Sequence, residues 1–148
     1  MLIKTLKIDK NHYSTSWIPI SYKLNKKYLN KSYTFLWNID NNVIALCRIY
    51  YITSTKIELG DLWINNEYRG KYNKNGVKYS LEFMKKVISK IWKLYPLISK
   101  ISLIVDKNNL AAIKLYNKLN FIKIKEILNS ELTNSNSFYM TRYKRRYM

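Results

Sequence analysis

The residues best suited to chemistry gather between Asn65 and Gly76, where the chain reads Asn-Asn-Glu-Tyr-Arg-Gly-Lys-Tyr-Asn-Lys-Asn-Gly. This segment follows a β-rich run and precedes one of helical period, so it is a loop feeding a helix N-terminus. Unpaired backbone N–H groups and the positive end of the helix dipole meet at such a place, a combination suited to phosphate or pyrophosphate. Gly70 and Gly76, two of the three glycines in the chain, let the backbone approach a ligand closely, and Arg69, Lys71 and Lys74 supply charge. Taken alone, the loop is equally an ordinary helix entry with its lysines in solvent.

The elements that must hold this loop follow from the period of the apolar residues. Residues 2–8 alternate as a first strand, and residues 14–30 read as an irregular, partly helical stretch in which Pro19 limits where a helix can run. Two β-rich runs, 33–38 and 43–52, flank the turn-forming residues Ile39, Asp40, Asn41 and Asn42 and suit an antiparallel hairpin. A third run covers residues 56–64. The period then changes: Val77, Leu81, Met84, Val87, Ile88, Ile91 and Trp92 recur at helical spacing until Tyr95-Pro96 closes the segment. Residues 100–105 form the short, nearly continuous apolar run of a buried parallel strand. A second helix over 109–119, a strand over 121–128 and a returning strand over 138–143 complete the order. Antiparallel strands first, then β–α–β–α–β and a terminal strand, describe an α/β protein with a mixed sheet and helices packed on it.

With 148 residues and no Pro-rich or Ser-rich linker or internal repeat, a single domain over residues 1–148 is expected. The hydrophobic content of 47% argues against disorder despite a formal net charge of +18. Such a basic chain points to a polyanion such as nucleic acid. The excess is mostly lysine, however, accompanied by abundant Asn, Ile and Tyr, which is also the drift of an AT-rich coding sequence. The N-terminus lacks a signal-peptide core and no segment is long enough to span a membrane, so a soluble cytoplasmic protein is expected. Cys47, the single cysteine, lies in an apolar run as a passive buried thiol; neither a disulfide framework nor a cysteine metal site is possible, and no metal is expected. His12, the single histidine, is read as incidental.

Two blocks carry a family resemblance. The run from Val105 to Phe121, with Asn109 four residues after Val105 and then Ala112-Ile113-Lys114-Leu115-Tyr116-Asn117-Lys118-Leu119-Asn120-Phe121, resembles the closing motif of the GNAT N-acetyltransferase superfamily. The run from Leu62 through Trp63, Ile64 and Arg69-Gly70-Lys71 looks like the acetyl-CoA signature of that family, in the family's order. The resemblance implies a GNAT-type mixed, centrally splayed sheet of about six or seven strands flanked by about four helices. It implies acetyl-CoA as co-substrate, bound by Trp63, Ile64, Arg69, Gly70, Lys71, Asn75, Gly76, Val77 and Asn109, and an amine as acceptor. Asn109 also suits the cap of the helix it opens. Tyr116 stands where the family places a tyrosine that protonates the departing thiolate, a modest task because a free thiol titrates near ~8.5. Asn120 replaces the usual glycine before Phe121, and asparagine is the best non-glycine residue for a left-handed helix end. The glycine loop departs from the pattern: it is about two residues longer and lacks the middle glycine.

The same resemblance places a general base on the strand before the loop, at Glu58 or Asp61. Strict alternation sends these two to opposite faces, and a bulge, common in this strand of the family, alters that assignment. Either is alternatively a solvated partner for some of the 27 basic residues. The expected activity is direct acetyl transfer to a primary amine in a ternary complex. The competing expectation is a degenerate member of the fold that binds nucleic acid or another polyanion, with Arg142, Lys144, Arg145 and Arg146 around Tyr143 and Tyr147 as its basic aromatic cluster.

Overall fold

The computed structural model describes residues 2–7, 32–39, 42–130 and 135–144. The strands are β1 (Leu2–Lys7), β2 (Ser32–Ile39), β3 (Asn42–Thr53), β4 (Lys56–Ile64), β5 (Lys100–Asp106), β6 (Ile122–Ser130) and β7 (Ser135–Tyr143). Two helices stand among them, α1 (Tyr79–Leu94) and α2 (Leu110–Lys118). All seven strands join one sheet in the order β1-β2-β3-β4-β5-β7-β6. The expected α/β class is therefore present. Two helices, rather than about four, lie among the described residues, and the irregular stretch over 14–30 lies outside them.

Alternation along the strands builds one apolar face. Phe35 and Trp37 from β2, Ala45, Cys47 and Ile49 from β3, Ile57, Leu59 and Ile64 from β4, and Ile101, Leu103 and Val105 from β5 join a single core with both helices. Helix α1 contributes Phe83, Met84, Val87, Ile88 and Ile91, the stripe its period predicts. Fully burying each such side chain is worth about 1.5–3 kcal/mol, so this stripe fixes α1 on the sheet far more firmly than helix propensity does. Trp37 stacks on Phe83 with ring centroids 6.2 Å apart and ties β2 to the same helix. Cys47 is fully buried in this core, as its apolar surroundings predict.

The hairpin expected from the last two strands is present, since β6 and β7 are antiparallel. Its placement is new: β7 inserts between β5 and β6 and pairs with β5 along the whole of that strand. Helix α1 begins at Tyr79, two positions later than Val77, because the Val77 carbonyl accepts the Asn73 amide at 2.7 Å instead of one from α1, and Tyr72 bridges to Lys78. Helix α2 ends as its sequence predicts. Asn120 takes a φ of 65°, and the Asn120 and Phe121 amides return to the carbonyls of Asn117 and Tyr116, which is a Schellman closure with asparagine in the left-handed position.

Candidate active site

The site starts where β4 and β5 separate. They pair in parallel over only four positions, Lys56 with Lys100 through Leu59 with Leu103, and the ladder then stops although both strands continue. The cause is local: β4 carries a bulge at Gly60–Asp61, where its register against β3 shifts between the Cys47 and Ile49 positions. A bulge increases local twist and turns the rest of the strand away from its neighbour. Residues 60–64 of β4 and 104–106 of β5 thus face an opening, beyond the ladder that joins the two strands among the described residues. Trp63 and Ile64 stand on the length of β4 beyond the shared ladder, Ile64 anchored in the helix-side core.

Gly60 is required at the bulge because a Cβ there would run into the ring of Tyr50 on β3. Arg48, opposite the bulge, is buried with 5% of its surface exposed. The extra residue in the bulge also interrupts the alternation that was expected to send Glu58 and Asp61 to opposite faces. Glu58 is half-buried, lies on the sheet face away from the helices, and pairs with Tyr50 on one side and Ser102 on the other. The Asp61 side chain lies outside the described residues.

Beyond Ile64 the chain turns on Asn65, whose side chain accepts the Glu67 amide at 3.0 Å and whose carbonyl accepts those of Tyr68 and Arg69. The Arg69 guanidinium donates back to the Ile64 carbonyl at 3.2 Å, closing the end of β4 rather than pointing wholly outward. Gly70 and Gly76 both take left-handed φ values, 70° and 76°, which explains why glycine stands at these two places. Between them the chain makes a small hairpin that absorbs the extra length. Asn73 Oδ1 accepts the amides of Asn75 and Val77, its own amide donates to the Val77 carbonyl, and its Nδ2 donates to Glu82 on α1.

The hairpin decides which amides are available to an anion. Those of Lys71, Asn75, Gly76 and Val77 are committed to Tyr68, the Asn73 side chain, Asn73 and the Asn73 side chain respectively. Among the described residues, the amides of Gly70, Tyr72, Lys74, Lys78, Ser80 and Leu81 have no such partner. Helix α1 has Lys78 at its N-cap and no capping side chain, so its first turn presents open donors and the positive dipole end together. The sequence places the donors in the loop and at the helix N-terminus that it feeds. The structure assigns the shaping of the loop to Asn73, a residue that spacing did not single out.

On the far side of the opening, Asn109 caps α2 by accepting the Ala112 amide at 3.2 Å, so its capping role is observed directly. Tyr116 is buried at 7% exposure in the helix-side core and packs edge-on against Phe121, ring centroids 5.7 Å apart. Asp106, at the end of β5, accepts from the Ser135 hydroxyl at 2.6 Å and from the Asn108 amide at 2.8 Å, and these bonds hold its carboxyl below the usual value. Tyr116 and Glu58 therefore stand on opposite faces of the sheet, with the opening between β4 and β5 joining the two faces.

Two cations of the basic C-terminal cluster are in structural use. Arg142 donates to the Leu119 carbonyl at 2.9 Å at the end of α2, and Lys144 donates to the Pro96 carbonyl at 3.1 Å. Arg145, Arg146 and Tyr147 lie outside the described residues. Among the described residues there is no group of acidic, histidine or cysteine side chains able to hold a metal, and no helix is long and apolar enough to cross a membrane.

Solved structures share this architecture. A GNAT family acetyltransferase from Elizabethkingia anophelis with acetyl-CoA bound superposes with a TM-score of 0.72 at 15% identity, covering 96% of this chain and 98% of its own. The IAA acetyltransferase from Bacillus cereus gives 0.72 at 13% identity, covering 97% and 100%. Spermidine N-acetyltransferase from Vibrio cholerae in complex with CoA and spermine gives 0.65 at 17% identity, covering 82% and 72%. A sequence search of curated proteins finds no match. The model of the acetyltransferase (GNAT) family matches residues 3–121, and with the parted strands, the glycine loop and the helix tip already in place, the chain belongs to the GNAT acetyltransferase family.

Proposed function

We propose that this protein transfers an acetyl group from acetyl-CoA to a primary amine by direct attack within a ternary complex. The observation that carries the reading is the conjunction of the β4–β5 opening with the uncapped tip of α1. An extended amide-bearing arm fits along β4 beyond its ladder with β5, at Trp63 and Ile64. A pyrophosphate fits the open donors around Gly70, Tyr72, Lys78, Ser80 and Leu81, with Arg69 and Lys71 beside them. Asn75, Gly76 and Val77 shape the loop through their bonds to Asn73, and Asn109 serves the site by fixing the start of α2.

In this reading Glu58, on the acceptor face, takes a proton as the amine nitrogen attacks the thioester carbonyl; Asp61 is the alternative base. The carbon–sulfur bond breaks as the nitrogen–carbon bond forms, and Tyr116 delivers its hydroxyl proton to the departing sulfur. Backbone N–H groups along this length of β4 stabilise charge on the carbonyl oxygen. Most of the acceleration comes from holding the two substrates in line, since the leaving thiolate needs little help.

The test is direct. Acetyl-CoA at ten to a hundred times its Kd should stabilise the protein by about 1.4–2.7 kcal/mol, read as a rise in melting temperature. Free thiol should also appear when an amine is added. A pure, folded sample that shows neither effect at millimolar acetyl-CoA would rule the reading out.

A further inference from the structure

On the sheet face away from the helices, β4, β5 and β7 set polar side chains in a row just before the strands part. Glu58 pairs in register with Ser102, and Ser102 with Thr141. Ser102 is 0% exposed and Thr141 2% exposed, and their hydroxyls are 2.9 Å apart, so each buried oxygen has the other as a partner. Tyr139, two residues earlier on β7 and on the same face, leans over this pair. Burial works to raise its phenol, but polar contacts with Lys56, Ser102 and Thr141 and the charge of Lys56 outweigh it and hold the phenol below its usual range.

Two lysines close over this tyrosine. The Lys56 ammonium lies 4.9 Å from the centre of the Tyr139 ring, and that of Lys125, arriving from β6, lies 5.7 Å from it. Lys56 is half-buried, and among the described residues neither lysine forms an ion pair with a carboxylate. Ammonium groups held against an aromatic face and hydroxyl groups, with no carboxylate paired to them among the described residues, suit an anion brought by a ligand. Tyr139 faces Ile104, the first β5 position beyond the ladder with β4, so the cluster borders the opening itself.

We propose that Lys56, Tyr139 and Lys125 form the anion subsite of the acceptor, and that the substrate is an amine carrying a carboxylate or a phosphate. This rests on the acetyl-transfer reading and specifies its acceptor. Lys56 takes the anionic group, and the amine is then presented to Glu58 at the opening. A polyamine meets two ammonium groups here and finds Glu58 as the one described carboxylate of the row. The cluster thus favours an acceptor that carries an anionic group, unlike the spermine held by the Vibrio cholerae structure.

The experiment compares matched amines by thiol release: an amino acid against its carboxamide, an amino sugar phosphate against the unphosphorylated amino sugar, and spermidine. The anionic member of at least one pair should exceed its neutral counterpart in kcat/KM by about tenfold or more, and which pair responds separates carboxylate from phosphate. Lys56→Gln should raise KM for that acceptor about 10- to 100-fold with kcat within about threefold, while Tyr139→Phe, which keeps the ring, should have a smaller effect in the same direction. Equal rates for charged and neutral members, a preference for spermidine, or an unchanged KM in folded Lys56→Gln would each overturn the proposal. If acetyl-CoA raises the melting temperature yet none of the anionic amines accelerates thiol release, the subsite is wrong and the acetyl-CoA reading stands. If acetyl-CoA fails to stabilise the protein, the fault lies in that earlier reading.

Discussion

Asn73 Oδ1 accepts the Val77 amide at 3.0 Å, and this bond shapes the ligand loop just before α1. The same oxygen holds the Asn75 amide at 2.8 Å, and Nδ2 reaches Glu82 at 3.3 Å. Asn73→Ala should therefore cost about 1–2 kcal/mol in denaturant unfolding and weaken acetyl-CoA binding several-fold. Asn73→Asp keeps the two accepted bonds, replaces the donor to Glu82 with a like charge, and should fall between wild type and alanine. Unchanged stability and affinity in the alanine variant would show that the loop is held by other means.

Gly60 and Tyr50 form a second dependent pair. A methyl group at position 60 meets the Tyr50 ring, which is 4% exposed and has little freedom to withdraw. Gly60→Ala should destabilise the protein by about 1–3 kcal/mol. In a Tyr50→Leu background the same substitution should cost about half as much or less, a coupling that a double-mutant cycle in urea would read. Additive effects would mean that the bulge does not depend on this contact.

Removing the hydroxyl of Tyr116 tests the acid of the reaction. Tyr116→Phe keeps the edge-on packing with Phe121 and should lower kcat about 10- to 100-fold while leaving the Kd for acetyl-CoA within about threefold. Single-turnover thiol release together with equilibrium binding separates the two quantities. Wild-type turnover in the variant would remove Tyr116 from the chemistry.

Asp106 ties the β5–α2 corner to β7 through Ser135, and its carboxyl is lowered first by that bond, then by the Asn108 amide, against a small opposing effect of burial. A carboxyl whose folded value lies below its unfolded one adds stability above the unfolded value and loses it as pH falls through the folded value. The window is therefore acidic, from the ordinary 3.8 downward. Melting temperatures followed from neutral pH to about pH 2.5 should fall less steeply in Ser135→Ala than in wild type over that window. Parallel curves would show that the bond does not influence folding.

Elements with a strong period were legible almost residue by residue. β4 occupies Lys56–Ile64 as its alternation predicts, and Asn120 adopts the left-handed φ that its place after α2 requires. The start of α1 lies two residues beyond the one its period suggests: Val77 and Leu81 fit the helical stripe, but the Val77 carbonyl accepts the Asn73 amide, a loop contact that periodicity does not register. The insertion of β7 beside β5 was equally hidden, because an alternating strand does not state its neighbours. The Lys56–Tyr139 contact joins residues far apart in sequence through two intervening ladders, and neither residue type is distinctive in a chain with 14 tyrosines and a large excess of lysine. Composition concealed it by repetition.

The short ladder between β4 and β5 has a final consequence for how the molecule is completed. Each of these strands is bonded along its outer side, β4 to β3 and β5 to β7, and they share only four positions with each other. The protein is thus two ribbons fastened at one end, like a zip drawn part of the way. An extended molecule laid in the open end would take the position of an interior strand, beside edges that no strand among the described residues pairs.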